Sequence, residues 1–531
     1  MARLLVIGLC AVGWLVLAGG IVAPLAGVFL AAGQSGAIST ELVAVPAWQV
    51  LLLRSLVMSL TTTVAAVALG LLPAAVLGSA SPRRLPTLVG LALLPLLVPP
   101  QVYAYAWQLV SAPASPLRRF MPDNVSDMWF GGAIRAGLIS AGWLWPLSAM
   151  ILAAGWRSAG RTAFALALLD AGPTRAYLRA VVPSLRPHLM AAATTVFAVS
   201  LLEYAIPHLT RCRIYATELL VLVDAGAPAG QIIRMAVQVI AILMVLVALV
   251  VWIIRPTAHW GQVGMDDETA NLARPGRTGI QANTGRLTWA GAALVWVTTL
   301  GVPVGIMSAL KPGSSSWAAS FSILSREWLS SLSIALAAGM AAIAMASGTA
   351  MLDAAARSRW ARTGGWTTFL AAAIPPAALG VGFILIYNRP GFVGYLYTDT
   401  PCVWILSLVS RYGALAVLIV WLTVGRQGNA VADQARADGA GAAGILAHVL
   451  LPMVWPSLLA AGLIVTMLAM FEVVVTQMTG PVGYPSIAVT LLGQMHYGRD
   501  NVVITTSQTV VVAGFVLTQI CGRLLMAARE R

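Results

Sequence analysis

Residues 433–456 read DQARADGAGAAGILAHVLLPMVWP, a polar, Gly/Ala-rich segment between long apolar runs. A related segment, FALALLDAGPTRAYLRAVVPSLRP, occupies residues 164–187 and aligns without a gap when Pro183 is laid on Pro452. Other pairs that coincide at this offset of 269 are Ala171 and Ala440, Gly172 and Gly441, Pro187 and Pro456, and Glu203 and Glu472. A chain that repeats one polar loop at the same place in two halves has two copies of one docking surface.

The composition is that of an integral membrane protein. Hydrophobic residues make up 59% of the 531 positions and charged residues only 9%, whereas soluble domains carry about 25% charged residues. A net charge of +14 could attract nucleic acid, but the arginines lie in short loops between apolar runs, where positive charge orients a protein in the membrane. We therefore expect lipid around the chain and no nucleic-acid partner.

The chain contains about twelve apolar runs that can cross the hydrocarbon core, which takes about 20 helical residues. All are predicted to be helices, because lipid offers the backbone no hydrogen-bond partners. The first run exceeds the apolar stretch of a signal peptide, so we interpret it as an uncleaved span. The predicted spans are 4–31, 55–79, 87–110, 131–154, 190–210, 231–254, 288–310, 328–352, 367–387, 403–425, 457–478 and 502–525.

The distribution of basic residues predicts a cytoplasmic N-terminus. In that orientation the larger share of the 32 Lys and Arg residues, including those of residues 157–186 and of the C-terminal GRLLMAARER, lies on the cytoplasmic side. This bias follows the positive-inside rule. It places both termini and both repeated loops in the cytoplasm.

A second offset extends the repeat toward the N-terminus. When the sequence is shifted by 276 residues, Pro99-Pro100 coincides with Pro375-Pro376. The change from 276 to 269 falls between the third and fourth spans, where the first half has the longer loop. The chain is therefore predicted to be an all-α protein of two homologous six-helix halves, residues 1–254 and 288–531, joined by a polar cytoplasmic linker over 255–287.

The sequence lacks the motifs of common catalytic and nucleotide-binding sites. A phosphate-binding P-loop needs GxxxxGK followed by Ser or Thr, and the only lysine is Lys311, in ALKPGSS. HExxH, GxSxG and paired-cysteine metal patterns are also absent from the sequence. We expect no enzymatic activity, metal or cofactor in this chain, and any ATP to be bound by another polypeptide.

Both repeated loops have the features of a rigid docking element. Ala171-Gly172 and Gly439–Gly441 permit a tight turn and the close approach of another backbone. A short helical piece is predicted after each turn, and Pro183 or Pro452 then precedes an apolar span, where a missing N–H costs little.

The second loop resembles the EAA loop of binding-protein-dependent ABC importer permeases, whose pattern is E-A-A, three residues, G, nine residues and I-x-L-P. Asp433 stands at the Glu position, Gly439 at the Gly position, and Leu451-Pro452 close the pattern. The first loop departs from it, because Phe164-Ala165-Leu166 replaces E-A-A and Asp170 stands where Gly is expected.

This resemblance covers essentially the whole chain and is similar in layout to fused iron(III)-type permeases, with thiamine, polyamine and phosphonate permeases related. It implies a bacterial inner-membrane importer with two ABC ATPase subunits at the cytoplasmic face and a periplasmic solute-binding protein outside, moving a small solute, ferric iron foremost. The residues it places in the coupling loops are Asp170, Ala171, Gly172, Arg175, Pro183, Asp433, Ala435, Asp438, Gly439, Ala440, Gly441 and Pro452. Unequal loops imply unequal engagement of the two ATPases.

Two acidic residues fall within predicted spans, each 20 positions after its loop proline. Because a carboxylate is costly in the membrane, Glu203 and Glu472 should face the bundle interior or a wet cavity. They are either an acidic pair in the pathway, joined by Tyr204 and favouring a cation, or hydrogen-bonded structural groups. Both interpretations stay open at the level of sequence.

Two rival functions follow from the same residues. A secondary transporter would move protons or sodium through Glu203 and Glu472, but it requires no repeated loops and its Asp-Arg signature between spans two and three is absent. A polytopic membrane enzyme would need polar residues gathered at one membrane face, and the sequence shows none. A disulfide between Cys212 and Cys402 is permitted on the outer side but is not predicted.

Overall fold

The computed structural model describes residues 2–34, 47–120, 131–157, 163, 166–254, 286–311 and 317–530, and in these ranges it consists of helices joined by turns and short loops. Nine helices there are long and apolar enough to cross a membrane, or eleven if each of two bent helix pairs is one span. The prediction of an all-α, membrane-spanning protein is confirmed. A count of twelve spans stays a prediction, and nearly all of the predicted linker lies outside the described residues.

In chain order the α-helices are Ala2–Leu17, Ala23–Gln34, Ala47–Ser79, Leu85–Leu97, Pro100–Val110, Gly131–Gly155, Pro173–Ala176, Val182–Leu201, Ala205–Leu209, Tyr215–Asp224, Ala229–Ile254, Arg286–Trp296, Val302–Ala309, Trp317–Ile323, Ser325–Ala346, Leu352–Ala356, Arg359–Ala372, Pro376–Tyr387, Phe392–Thr398, Cys402–Thr423, Asn429–Ala437, Ala442–Ile445, Leu451–Met470, Val474–Thr479, Ile487–His496 and Asp500–Glu530. Wider π-helical turns occupy Ala18–Val22, Tyr177–Val181, Val297–Gly301, Ser347–Met351, Val424–Gly428 and Leu446–Leu450, and a 3-10 turn Arg118–Phe120.

The chain forms two compact units, and neither is a contiguous half. One unit comprises Met1–Val50, Tyr215–Ile240 and Lys311–Arg531, and the other comprises Leu51–Ile214 and Ala241–Leu310. The first predicted span thus belongs to the unit that holds most of the second half. The seventh predicted span belongs to the unit that holds most of the first half. The halves themselves are defined by the sequence repeat and stay a prediction.

Glycines bring the first helices of the chain against later ones within the first of these units. A Cβ atom at Gly13 would lie 2.1 Å from the carbonyl oxygen of Ala344, and one at Gly27 would lie 2.7 Å from that of Gly382. Small residues permit such close approach between membrane helices, whose association depends on van der Waals packing. Neither contact leaves room for a side chain.

The two Pro-Pro motifs break the predicted spans 87–110 and 367–387 into bent pairs. Helices meet there at 80° in the first case and at 115° in the second. Pro99 (φ −54°, ψ 136°) and Pro375 (φ −52°, ψ 136°) share an extended conformation. A proline restricts the residue before it to extended backbone and removes a helical N–H, so two in succession end one helix and begin another.

Helix boundaries recur at the sequence offset of 269. Adding 269 converts Pro173–Ala176 into Ala442–Ile445 and Tyr177–Val181 into Leu446–Leu450. It also converts the 20-residue helix Val182–Leu201 into Leu451–Met470. The repeat read from prolines and small residues therefore has a counterpart in local backbone structure.

Replacing Gly13 by Ala is expected to lower the stability of the protein by about 1–3 kcal/mol, because overpacking a close helix contact forces backbone shifts. The matched control is Gly8→Ala in the same helix, where an added Cβ meets nothing within 4 Å and alanine favours the helix. Thermal unfolding midpoints of the two variants in lipid nanodiscs check this. Equal midpoints would contradict the close packing at Gly13.

Candidate functional site

The second repeated loop is organised by a glycine that ends a helix. Helix Asn429–Ala437 stops where Gly439 takes φ +86°. The Ala440 N–H donates to the Ala435 carbonyl at 2.9 Å, and the Gly439 N–H donates to the Arg436 carbonyl at 3.1 Å. This pair of bonds is the Schellman arrangement, in which a left-handed glycine lets the last helical carbonyls find donors. Asp438 precedes the glycine as the final residue of right-handed backbone.

A new helix starts three residues after Gly439, at Ala442. Gly441, with φ −72° and ψ 158°, precedes the short helix Ala442–Ile445. The π-helical turn Leu446–Leu450 then leads into helix Leu451–Met470, with Pro452 in its first turn. Because the proline ring crowds the carbonyl four residues earlier, the wider turn gives it room. The same turn precedes Pro183 in the first half.

An ionic cluster holds this loop against the end of an earlier helix. The Arg357 guanidinium donates to Asp433 through Nε at 3.2 Å, and Arg436 donates to the same carboxylate. Arg436 Nη2 also donates to the carbonyls of Ala354 and Ala355 at 2.9 and 3.3 Å, at the end of helix Leu352–Ala356. Exposed ion pairs add little free energy, so the main effect of the cluster is to fix the position of helix Asn429–Ala437.

Arg357 adopts a left-handed conformation, φ +47°, which is unfavourable for a residue with a side chain. Arg357 is the C-cap of helix Leu352–Ala356, and from this position its guanidinium bonds Asp433. Sequence reasoning selected Asp433 from its motif position but missed both arginines, because Arg357 is 76 residues away in the chain and Arg436 occupies one of the three unspecified positions of the motif.

The first repeated loop lacks this cluster. At the two repeat offsets, the positions of Arg357, Asp433 and Arg436 correspond to Ser81, Phe164 and Ala167. An arginine from a different position supplies the helix-end contact instead, since Arg157 Nη2 donates to the carbonyls of Leu77 and Ala80 at 2.8 and 2.9 Å. Arg157 precedes the loop, so this contact holds the end of helix Gly131–Gly155 against the end of helix Ala47–Ser79. Phe164 and Ala165 lie outside the described residues.

The turn at Asp170 also differs from the turn at Gly439. Among the described non-glycine residues only Arg211 and Arg357 have positive φ, so Asp170 stands where no left-handed residue is needed. The Ala171 N–H donates to the Ala167 carbonyl at 2.9 Å, and the Ala176 N–H donates to Gly172 at 2.9 Å. Asp170, Gly172 and Arg175 are exposed, as a docking surface requires.

The first helix of the chain lies against the second loop. An added Cβ at Gly444 would be 3.6 Å from the Arg3 guanidinium. The short helix Ala442–Ile445 therefore has a basic side chain beside it from the first residues of the chain.

The glutamates of the two predicted spans share one geometry. Leu202–Tyr204 and Phe471–Val473 interrupt the helices, and each carboxylate caps the short helix that follows. Glu203 Oε1 accepts the Ala205 N–H at 2.8 Å. Glu472 accepts the Val474 and Thr476 N–H groups at 3.2 and 3.0 Å. An acidic side chain at a helix start satisfies free N–H groups and complements the dipole.

Both glutamates are buried, at 8% and 6% exposure. This arrangement is the one expected of hydrogen-bonded structural groups, and their place in a pathway stays a prediction. Tyr204, between Glu203 and its helix, stacks on His208 with ring centres 4.9 Å apart and with its hydroxyl 3.1 Å from Nδ1. The thiols of Cys212 and Cys402 are free.

Comparison with known proteins adds no relative: neither protein-family models, nor curated proteins, nor solved structures give a match to this chain.

The donors Arg436 and Arg357 hold the pKa of Asp433 below its ordinary value. A carboxylate with a lowered pKa stabilises the folded loop above its unfolded-state pKa, about 3.9, and that stabilisation is lost as pH falls through the lower, folded-state pKa. Amide hydrogen exchange over helix Asn429–Ala437 should therefore accelerate, beyond the intrinsic pH effect, as pH drops below about 4. In the Asp433→Asn variant, the amides of this helix should exchange faster at neutral pH, and the acceleration below about pH 4 should be absent. Parallel pH profiles of exchange in the variant and the unmodified protein would contradict the ionic cluster.

Proposed function

We propose that the chain is the membrane-spanning permease subunit of an ATP-driven importer, with the loops at 164–187 and 433–456 as docking sites for two separate ABC ATPase subunits. The observation that carries this proposal is the second loop, a short helix presented by a Schellman turn and fixed to a helix end by an ionic cluster. A docking element must transmit displacement without deforming, and this loop has backbone and side-chain constraints on both flanks.

The ionic cluster gives displacement a route into the membrane region. Asp433 and Arg436 connect the loop to Arg357 and to the carbonyls that end helix Leu352–Ala356. On the other flank the loop continues directly into helix Leu451–Met470. Movement of a bound ATPase would therefore act on two spanning segments of the same unit together.

The energy source is proposed to lie outside this chain. The sequence has one lysine, Lys311, and no P-loop around it, so ATP would be bound and hydrolysed by the partner subunits. A periplasmic binding protein would deliver solute at the opposite face. In this proposal the protein lies in the bacterial inner membrane with both termini in the cytoplasm, as the basic residues indicate.

The identity of the solute needs separate evidence. The expectation of ferric iron or another cation depended in part on two acidic side chains facing a pathway. Since Glu203 and Glu472 each accept backbone N–H groups, their charge is largely committed to the helices that they cap. They lend little support to a cationic solute.

Replacing Gly439 by Val is expected to abolish most solute uptake while leaving the protein in the membrane, because a β-branched residue strongly disfavours positive φ. The control is Gly441→Ala, since Gly441 has φ −72° and open space around it. Uptake and ATP hydrolysis by the assembled transporter are measured for both variants. Unchanged uptake in Gly439→Val would count heavily against a docking role.

The rival secondary transporter is tested at Glu472. The Val474 and Thr476 N–H groups bond different oxygens of Glu472, Oε1 and Oε2. Glu472→Gln keeps one of these two acceptors but cannot release a proton. If the residue serves as a helix cap, uptake should stay within about threefold of the unmodified protein, a change of less than 1 kcal/mol. Complete loss of uptake in Glu472→Gln, with normal membrane levels, would favour the proton-coupled carrier. Glu472→Ala, which removes the acceptor, should lower the unfolding midpoint.

A further inference from the structure

Arg411 is a charged residue in the middle of a membrane-spanning helix. Helix Cys402–Thr423 carries it nine residues after its first residue and twelve before its last, which is about 14 and 18 Å at 1.5 Å per residue. It is the only Asp, Glu, Lys or Arg in this helix. A charge at mid-membrane depth is costly unless it faces water or a polar partner.

The donors of Arg411 are incompletely used. Its Nε is buried and has no hydrogen-bond partner, and no carboxylate oxygen among the described residues lies within ion-pair distance. A buried donor without a partner costs about 1–3 kcal/mol. The sequence therefore retains a side chain that is energetically costly in the membrane and whose Nε donor has no hydrogen-bond partner.

Several polar groups of the same helix and of helix Val474–Thr479 are engaged with one another. Glu472 interacts electrostatically with Arg411, but its oxygens accept backbone N–H groups. The indole of Trp404 donates to Thr476 at 3.0 Å, and Ser407 and Thr479 share a hydrogen bond of 2.8 Å. These bonds leave Arg411 as the charged donor of this cluster.

The repeat gives no second copy of this charge. The counterpart of Arg411 at offset 269 is Gly142. A Cβ there would lie 2.4 Å from the Tyr103 hydroxyl, which itself donates to the Thr299 carbonyl at 2.7 Å. In the first half the corresponding space is closed by a bonded phenol, so a charge requirement of the repeated scaffold does not explain Arg411.

We propose that Arg411 recognises the transported solute, and that this solute carries an oxyanion: a phosphate, phosphonate or carboxylate group. The inference rests on one part of the proposed function, that the chain is a transporter, because a solute reaches a mid-membrane side chain only in a transporter. Arginine stays charged at all physiological pH values, and its planar fork of N–H donors matches two oxygens of such a group. An anion at Arg411 would supply the acceptors that the protein does not.

Leu415 offers a position from which to measure the field of Arg411. It follows by one helical turn, on the same face, and is 37% exposed. In a Cys402→Ser background, which removes the exposed native thiol, Leu415→Cys is labelled in nanodiscs with anionic sulfonatoethyl and cationic trimethylammonioethyl methanethiosulfonate. The ratio of the two rates reports the local charge.

The anion-to-cation rate ratio should fall by about tenfold or more when Arg411→Gln is added, since a unit charge a few ångströms away shifts both rates in opposite directions. Arg411→Lys should retain most of the ratio. The control is Arg135→Gln, which should leave the ratio unchanged. Arg135 lies in another spanning helix, Gly131–Gly155, and donates to Ser111. Absence of labelling, or an anion-to-cation rate ratio that stays the same when Arg411→Gln is added, would overturn the proposal.

The oxyanion class is tested by competition at matched ionic strength. Inorganic phosphate, methylphosphonate or citrate should slow labelling of Leu415→Cys relative to sodium chloride, and Arg411→Gln should remove the protection. The anion that protects identifies the group recognised; protection by none of the three would overturn the oxyanion assignment. No ATPase is needed, so failure here leaves the docking proposal intact, and a failed Gly439→Val test leaves this one standing.

Discussion

Each break in a membrane-spanning helix exposes N–H and C=O groups that lipid cannot satisfy, and this requirement governs the interior of the protein. Glu203 and Glu472 bond the amides that start the helices after their breaks. At the first Pro-Pro bend, the indole of Trp143 donates to the freed Val98 carbonyl at 3.0 Å. The hydroxyl of Tyr387 donates to the Gly19 carbonyl within a π-helical turn at 2.7 Å. Polar side chains are therefore placed where the backbone changes direction.

The repeat preserves this backbone plan more faithfully than it preserves side-chain chemistry. The prolines, π-helical turns and capping glutamates occur in both halves, whereas the cluster of Arg357, Asp433 and Arg436 and the mid-helix Arg411 occur only in the second. Backbone satisfaction is required wherever the scaffold bends. Under the proposed function, the ionic cluster would make the second loop the more firmly held of the two docking sites, and Arg411 would place solute recognition in the same half.

The sequence predicted the features that depend on local composition. Apolar run length was enough for the all-helical membrane fold, and the spacing of Gly439 and Pro452 was enough to locate a glycine turn followed by a short helix. The sequence did not predict the bends at Pro99 and Pro375, because the residues on both sides of each bend are equally apolar. The ionic cluster was missed because Arg357 comes from a distant segment of the chain. The bonding of the glutamates depends on helix breaks that no periodicity signal marks.

Each of the two units is built from segments that are far apart in the chain, and this has a consequence for biosynthesis. The helix Ala23–Gln34 enters the membrane early, yet it packs through Gly27 on helix Pro376–Tyr387, about 340 residues later in the chain. At translation rates of about 5–20 residues per second, the interval is on the order of 20–70 s. During that time the glycine face of helix Ala23–Gln34 lies against lipid or an insertion factor. The nascent protein must therefore keep a finished helix apart from wrong partners until its own partner is made.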